Sequence, residues 1–372
     1  MRRSCGREEG YSGPVQARTV GLDELTSEDL AAWSECAALS LEPNPFFEPD
    51  WLLPAVEYLN ESPATRLVLT EQRGAIQACV PVVEVTADGD TSRALRKHSA
   101  VKTRVTPTAV LLGTPLVTVE GGPEALACLI TEIRHEAERR GATLVIMEWV
   151  ACGGPVDRLL KGVALGGDSS LVEFDIWERG LLRRQAAGGE CYWLRGIGKN
   201  RRRTIRQHRQ HLREVLGASP VLRVRDDVGA VDEFMQLEAS GWKGHEPEGL
   251  ALGREVRATS FFETVCDRYI KEGRMYFLSL EGNEVPIAMI CCVRAGEGLF
   301  AYRTAYDEKL AKYGPGVEVF LAAMEHFDRE TDASWFDTCA VRDNQHLLGL
   351  FPDRRTMATV MFRVPGRSAV AL

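Results

Sequence analysis

The chain has 372 residues, of which 45% are hydrophobic and 26% are charged, and its formal net charge at pH 7 is −8. This length suits two domains, and the composition is that of an ordinary globular protein. The net negative charge excludes a general attraction to DNA or to a membrane surface, so an anionic ligand must be met by a local basic patch.

The N-terminal residues 1–13 are polar and charged, and no apolar run follows them, so they predict a disordered lead rather than a secretory signal. No stretch of the chain approaches the roughly 20 apolar residues of a membrane span. The ten cysteines form no CxxC pair and several lie in apolar runs, which predicts free thiols in a reducing compartment. We therefore expect a cytoplasmic protein without a metal site.

Two segments, 66–85 and 275–293, each predict a β-hairpin. Each has an apolar run, a polar turn with a glycine (Gly74 or Gly282) and a second apolar run. Each second run also contains a proline, which favours an edge position or a bulge: Pro81 and Pro286.

A helix and a short strand follow in each half of the chain. The helices are predicted from apolar residues spaced i, i+3, i+4, i+7, which are Leu126, Leu129, Ile130 and Ile133 in one and Val317, Phe320, Leu321 and Met324 in the other. The strands are predicted at 143–150 and 334–341. The shared order predicts a duplicated α/β unit, at 14–185 and 190–372, joined near the glycine-rich residues 185–189; the alternative is that two short patterns agree by chance.

The strongest local signal is a strand that leads into a glycine-rich turn and a helix from Val317. Gly314 and Gly316 would let a phosphate approach the first backbone N–H groups of that helix, which have no partner within it. One interpretation is a pyrophosphate cradle, and the other is an ordinary loop and helix start. Residues predicted to contribute to the cradle are Arg303, Lys312, Tyr313, Gly314, Gly316 and Val317.

This element order resembles that of the GNAT acetyltransferases, in which the helix start holds the pyrophosphate of acyl-CoA. The segments AYRTAYDEKLAKYGPGVEVFLAAME, FMQLEASGWKGHEPEGLAL and NPFFEPDW look like the BioF2-like acetyltransferase domain, a group that includes CelD-type proteins. The resemblance covers about 44–60 and 192–365. It extends to the FemAB-like aminoacyltransferases, which contain two GNAT-like units. It implies an α/β fold of two tandem GNAT-like units, with mixed β-sheets flanked by helices.

The sequence departs from the GNAT pattern at one position. The family commonly has Gln or Arg three residues before the first glycine, where this chain has Ala311. Lys312 could supply the missing charge. The departure puts CoA in doubt as the donor.

A basic run precedes the second hairpin, and its apolar residues predict an amphipathic helix. Its members are Arg195, Lys199, Arg201, Arg202, Arg203, Arg206, His208, Arg209, His211 and Arg213. One interpretation is a solvated face paired with acids from elsewhere. The other is an anion surface for CoA phosphates, an acidic acceptor or the tRNA backbone.

Acylation of an amine needs a group that takes a proton from the attacking nitrogen. Asp307, Glu238 and Tyr302 are the predicted catalytic residues, with Asp337 and His245 as further candidates. Trp242, Lys243 and His245, beside two glycines, are predicted to form the wall of an acceptor site, although Trp242 could equally be a core residue.

These observations predict that the C-terminal unit transfers an acyl group, first of all acetyl, from acetyl-CoA or another acyl-CoA to an amine of a small molecule or sugar-like acceptor by direct attack. The N-terminal unit is expected to be non-catalytic, because its counterpart turn lacks basic neighbours. Two alternatives stay open: an aminoacyl-tRNA-dependent transferase, for which tRNA would be the partner, and a non-catalytic binding module.

Overall fold

The computed structural model describes residues 13–59, 65–85, 100–165, 171–185, 192–241, 251–342, 344 and 346–364. Most of the predicted disordered lead, residues 1–12, and the predicted junction at 186–189 lie outside these ranges. The predicted acceptor residues Trp242, Lys243 and His245 also lie outside them. No helix within the described ranges is long and apolar enough to cross a membrane.

The first half of the chain forms a unit of strands and helices in the predicted order. Its strands are β1 (Gln16–Gly21), β2 (Arg66–Gln72), β3 (Ala75–Val85), β4 (Ala100–Lys102), β5 (Leu116–Val117), β6 (Leu144–Ala151) and β7 (Val172–Arg183). Its helices are α1 (Ser27–Ala38), α2 (Pro49–Leu59), α3 (Gly122–Arg139) and α4 (Pro155–Leu165). The four predicted apolar residues of α3 are all buried, which confirms that helix face.

The second half repeats the arrangement. Its helices are α5 (Lys199–Leu216), α6 (Val228–Ser240), α7 (Val256–Lys271) and α8 (Pro315–Glu330). Its strands are β8 (Val221–Arg225), β9 (Met275–Gly282), β10 (Val285–Ala295), β11 (Gly298–Tyr306), β12 (Trp335–Asp337) and β13 (Asp353–Arg363). Helix α8 begins with a proline and buries Phe320, Leu321 and Met324 as predicted, while Val317 is only partly buried.

The strands form one continuous sheet in the order β1-β2-β3-β4-β6-β13-β7-β12-β11-β10-β9-β8, with β5 paired to β3 beside it. If the strands β1, β2, β3, β4, β6 and β7 are matched with β8 to β13, this order reads the same from either end. The two units therefore have the same topology. Each gives its last strand to the other, since β13 lies beside β6 and β7 lies beside β12. This exchange fuses the two expected sheets into one.

The two hairpins are closed by turns with left-handed backbone. Arg73 and Gly74 have φ of 54° and 81°, and Asn283 and Glu284 have φ of 53° and 64°. Positive φ at both central residues is the geometry of a tight hairpin turn. The prediction of Gly282 as the turn glycine is wrong, because that residue ends β9.

Pro286 and the strand predicted at 334–341 mark two places where regular strand pairing is interrupted or ends. Pro286 lies at a shift of register between β10 and β9, as predicted for a strand proline. The strand predicted at 334–341 ends at Asp337, and Cys339 has φ of 49°, so the chain turns away there. The end of β12 at Asp337 determines where β11 and β12 separate in the site described below.

A buried ion network holds the exchanged strands together. The Asp337 carboxylate at the end of β12 is fully buried and lies 2.8 Å from Nε of Arg179 on β7 and 2.7 Å from Nη1 of Arg355 on β13. It also accepts a hydrogen bond from the Cys339 N–H. Asp337 was a candidate base, but the structure places it in this junction network.

Candidate active site

Strands β11 and β12 are parallel and separate soon after they meet. They pair only from Gly298 with Trp335 to Phe300 with Asp337, and β11 then continues to Tyr306. On that edge, residues 301–306 of β11 have no partner strand in the part of the chain that the structure describes. The two strands therefore open into a V after Phe300 and Asp337.

A β-bulge lies in the same stretch of β11. Cys291 pairs with Arg303 and Cys292 pairs with Ala301, so Tyr302 is the extra residue. A bulge turns consecutive side chains to one face of the sheet. Tyr302 and Arg303 accordingly both face the helices of the second unit: the Tyr302 ring lies 6.4 Å from that of Phe262 on α7, and Arg303 reaches α6.

Glu238, at the end of α6, is the acid that Arg303 contacts. Its side chain is inaccessible to solvent, and its Oε1 lies 2.8 Å from Nη1 of Arg303, whose side chain is 14% exposed. Its Oε2 accepts a hydrogen bond from the Leu252 N–H at 2.9 Å. Burial lowers the pKa of Arg303, but the neighbouring Tyr302 and Glu238 outweigh burial and raise that pKa above its usual value. Arg303 was predicted to bind the cofactor, and here it lies beside a predicted catalytic acid.

Tyr302 is buried in an aromatic cluster shared by the two units. Its ring lies 4.7 Å from Trp51 on α2, and also contacts Phe46. Its hydroxyl has no hydrogen bond of ordinary geometry among the described residues, although the Arg303 guanidinium is close enough to influence it. Burial raises the pKa of Tyr302 to about 12, against the opposing effect of Arg303.

A small cleft lies between the end of α6 and the end of β11. It is open to solvent, and it is lined by Leu237, Glu238, Gly241, Thr304, Ala305, Tyr306 and Glu308. Glu238 is therefore the predicted catalytic residue that lines a cleft. Asp307 lies at the end of β11, where its carboxylate accepts a hydrogen bond from the Lys309 N–H and begins a short 3-10 helix. Its catalytic role stays a prediction.

The glycine-rich turn lies between that 3-10 helix and α8. Gly314 has φ of 65°, which favours glycine, and a Cβ added at Gly316 would lie 3.2 Å from Cδ1 of Tyr306. The Val317 and Glu318 N–H groups bond to the Gly314 carbonyl, whereas no bond of the Gly316 N–H is found in the described ranges. Lys312 lies over the Tyr313 ring, with its Nζ 4.9 Å from the centroid. The turn thus offers one free amide and one nearby ammonium.

Helix α5, formed by the predicted basic run, packs over this turn. His208 Nδ1 lies 2.9 Å from the position that a Cβ on Gly314 would occupy. Arg209 pairs with Glu318 in the first turn of α8, with 2.6 Å between Nε and Oε2. Burial raises the pKa of Glu318, although Arg209 opposes the change.

In the first unit, other residues of the same unit occupy the turn before α3 and the space after β4. The Gly121 N–H before α3 donates to Thr118 Oγ1 at 3.0 Å, and the Gly122 N–H donates to the Thr118 carbonyl. Beyond the short pairing of β4 with β6, the Arg104 guanidinium lies 3.5 Å from the centroid of the Trp149 ring. This turn has no free amide at Gly121 or Gly122, and a side chain fills the space after β4.

Comparison with known proteins agrees with this geometry. Residues 199–344 match the family model described as an acetyltransferase (GNAT) domain. The match lies within the second unit and includes α5 to α8, so this unit contains a GNAT-type domain. No curated protein sequence matches the chain.

Three solved structures share the fold over nearly the whole chain. A conserved protein of unknown function from Bacteroides thetaiotaomicron is 12% identical, with a TM-score of 0.56, and the match covers 90% of this chain and 97% of that one. FemX is 11% identical, with a TM-score of 0.55 and coverage of 93% and 97%. The C-terminal domain of a putative lysylphosphatidylglycerol synthetase from Agrobacterium fabrum is 10% identical, with a TM-score of 0.52 and coverage of 91% and 92%. The tandem fold expected from the family resemblance is confirmed.

Sequence reasoning missed two contributions to the site. Thr304 and Glu308 line the cleft and lie in the family-like segment at 301–325, but neither was predicted as a site residue. The contact of Trp51 with Tyr302 joins residues about 250 positions apart, so only the family-like NPFFEPDW segment could have suggested it. No group of three or more His, Cys, Asp or Glu side chains suited to a metal occurs in the described ranges.

Proposed function

We propose that the second unit is an acyl-CoA-dependent N-acyltransferase that acylates an amine of a small molecule by direct attack. The observation that carries this proposal is the opening of β11 away from β12 directly before the turn that begins α8. An extended, amide-bearing thioester arm can lie along β11 where it leaves β12, as an added strand would. The glycine turn then lies where the phosphates of such a donor would end.

The donor contacts follow from this placement. Residues 301–305 would hold the pantetheine arm and the thioester through their backbone. The Gly316 N–H and the Lys312 ammonium would meet the pyrophosphate, supported by the start of α8. A bulky residue at Gly316 would meet the Tyr306 ring and narrow this approach.

The cleft beside β11 would hold the acceptor amine. Glu238 would take a proton from the ammonium group as its nitrogen attacks the thioester carbon. The new C–N bond forms as the C–S bond breaks, the nitrogen loses its second proton, and the leaving thiolate takes up one proton. Tyr302, with its pKa raised to about 12, stays protonated at neutral pH, so its hydroxyl would stabilise the leaving thiolate by a hydrogen bond.

Direct attack is supported by the state of the nearest thiols. Cys291 and Cys292 are fully buried, and burial raises the pKa of both, which disfavours the reactive thiolate. The described cysteines are all unpaired, which supports the cytoplasm as the location. For the first unit we propose a structural role, since its turn and its strand opening are filled by Thr118 and Arg104.

A second candidate is an aminoacyl-tRNA-dependent transferase with the same fold. The observation that favours it is a set of exposed basic residues on α5, four of which have no partner in the part of the chain that the structure describes. The acceptor would be the same, but the donor phosphates would belong to RNA. A non-catalytic binding module is the third alternative, and the departure at Ala311 favours it.

The proposed donor can be tested by stabilisation and by turnover. Acetyl-CoA at 100 times its dissociation constant should add about 2.7 kcal/mol to the free energy of unfolding, and ADP should add much less. Release of free CoA should then depend on an added amine from a panel of amino acids, amino sugars and polyamines. If acetyl-CoA neither stabilises the protein nor releases thiol with any amine, CoA is not the donor.

A further inference from the structure

Four basic residues of α5 share one exposed face and have no partner among the described residues. Lys199, Arg202, Arg203 and Arg206 are spaced i, i+3, i+4 and i+7, so they are neighbours on the helix surface. We call this set the arginine face. The other arginines of the helix are engaged: Arg201 donates to the His346 carbonyl, Arg209 pairs with Glu318, and Arg213 donates to Ser219.

The arginine face is electrostatically unfavourable for the helix that carries it. The first turn of α5 contains no acidic residue, and Gly198 before it provides no side-chain cap. Cations near a helix N-terminus oppose the helix dipole, and like charges four residues apart repel. The helix is nevertheless fixed by the buried Ile205 and Leu212, so the face is presented rigidly. A partner with negative charge would relieve this repulsion.

The arginine face points away from the glycine turn. His208 marks the side of α5 that lies over Gly314. At roughly 100° per residue, the four cations lie between about 120° and 180° around the helix from His208. A small donor whose phosphates sit at Gly316 therefore leaves the arginine face uncovered. A partner that contacts the arginine face must therefore be larger than such a donor.

The glycine turn has one ammonium beside it, that of Lys312. It has Ala311 where the family commonly has Gln or Arg. The first turn of α8 contains Glu318, which is buried and has one carboxylate oxygen without a partner in the described ranges. A nearby carboxylate disfavours the two charges of a pyrophosphate more than the single charge of a phosphodiester.

We propose that the arginine face docks an acidic acyl carrier protein, which delivers the acyl group on its phosphopantetheine arm. This inference rests on the proposed function, because a carrier protein and CoA present the same pantetheine thioester to the cleft. The carrier arm has one phosphodiester in place of the CoA pyrophosphate, and this phosphodiester is attached directly to the carrier, so the carrier would extend from the arginine face around α5 to the turn. Arginine guanidinium groups bind carboxylates through paired hydrogen bonds, so a helix with acids at matching spacing complements the face. The acyl carbon forms its bond to the amine, and the thiol stays on the carrier.

The test compares donors and charge-reversed variants. Wild-type protein, Arg202→Glu/Arg206→Glu and the control Arg254→Glu/Arg257→Glu would be assayed with a purified fatty-acid acyl carrier protein bearing an acetyl group, and with acetyl-CoA. The control makes the same change in net charge at two exposed arginines elsewhere. We expect the first variant to raise the KM for the acetylated carrier at least about tenfold, with the KM for acetyl-CoA within about twofold of wild type. The control should match wild type with both donors.

Further outcomes separate this inference from its rivals. A carrier whose acidic helix is changed to lysines should regain turnover with Arg202→Glu/Arg206→Glu, which a misfolded variant could not show. If acetyl-CoA is used but the carrier neither binds nor reacts, the carrier inference is wrong and the proposed function stands. If a short RNA binds the face and the carrier does not, the face is a polynucleotide surface. If neither thioester reacts, the proposed function itself fails.

Discussion

The buried pair of Glu238 and Arg303 gives the sharpest test of the site, through the substitution Glu238→Gln. The Glu238 side chain is inaccessible and Arg303 is only 14% exposed, so the change removes a buried carboxylate that lies 2.8 Å from the Arg303 guanidinium. Removing one partner of a buried pair costs 3–5 kcal/mol; because Arg303 keeps some exposure and Gln can still accept from Leu252, we expect about 3 kcal/mol. Urea unfolding followed by circular dichroism measures this loss.

Two comparisons make the result specific to the pair. Glu238→Gln combined with Arg303→Met should lose less stability than Glu238→Gln alone, because both charges are removed together. Glu308→Gln is the matched control, since it removes a carboxylate that lines the same cleft.

If Glu238 also acts as the base, the rate of amine acylation should fall by about 10²- to 10⁴-fold with the donor affinity unchanged. A loss of stability below about 1 kcal/mol, or full activity, would refute this account of Glu238.

Three further predictions concern the turn and the junction. Gly316→Leu should abolish CoA binding measured by calorimetry, because the new side chain meets Tyr306. The control Gly162→Leu, which lies in open space on α4, should bind CoA as wild type does. Equal binding by the two variants would place the donor site elsewhere. Glu318→Gln removes one negative charge near the start of α8, and such a charge is worth up to about 1 kcal/mol. The variant should therefore bind CoA up to about fivefold more tightly. Unchanged or weaker binding would contradict this prediction. Asp337→Asn should lower stability by about 3–5 kcal/mol in urea unfolding, because two arginines lose their charge partner; a loss under about 1 kcal/mol would show that the junction does not depend on this network.

The duplicated fold could be predicted because each element leaves a local pattern. Helical spacing marked the buried faces of α3 and α8, and the two hairpins each had apolar runs around a polar turn. The exchange of β7 and β13 left no such pattern. Which strand lies beside which depends on contacts between distant residues, and a strand has the same alternation whichever unit it joins.

The candidate site was predictable where it depends on short motifs. The turn before α8 was found because glycines and a proline stand directly before an amphipathic run. The pairing of Glu238 with Arg303 was not found, although both residues were chosen, because it joins α6 to β11 across 65 positions. The same holds for Asp337, whose role in the junction depends on arginines from two other strands.

The central claim is that one GNAT unit of the pair holds an acyl-thioester donor. Titration of the full chain with acetyl-CoA by isothermal calorimetry tests it most directly. We predict one site per chain, since the Gly316 N–H is free in the described ranges while Thr118 and Arg104 fill the first unit. Two equivalent sites would contradict the structural role given to the first unit. Absence of binding at any concentration tested would contradict the donor site.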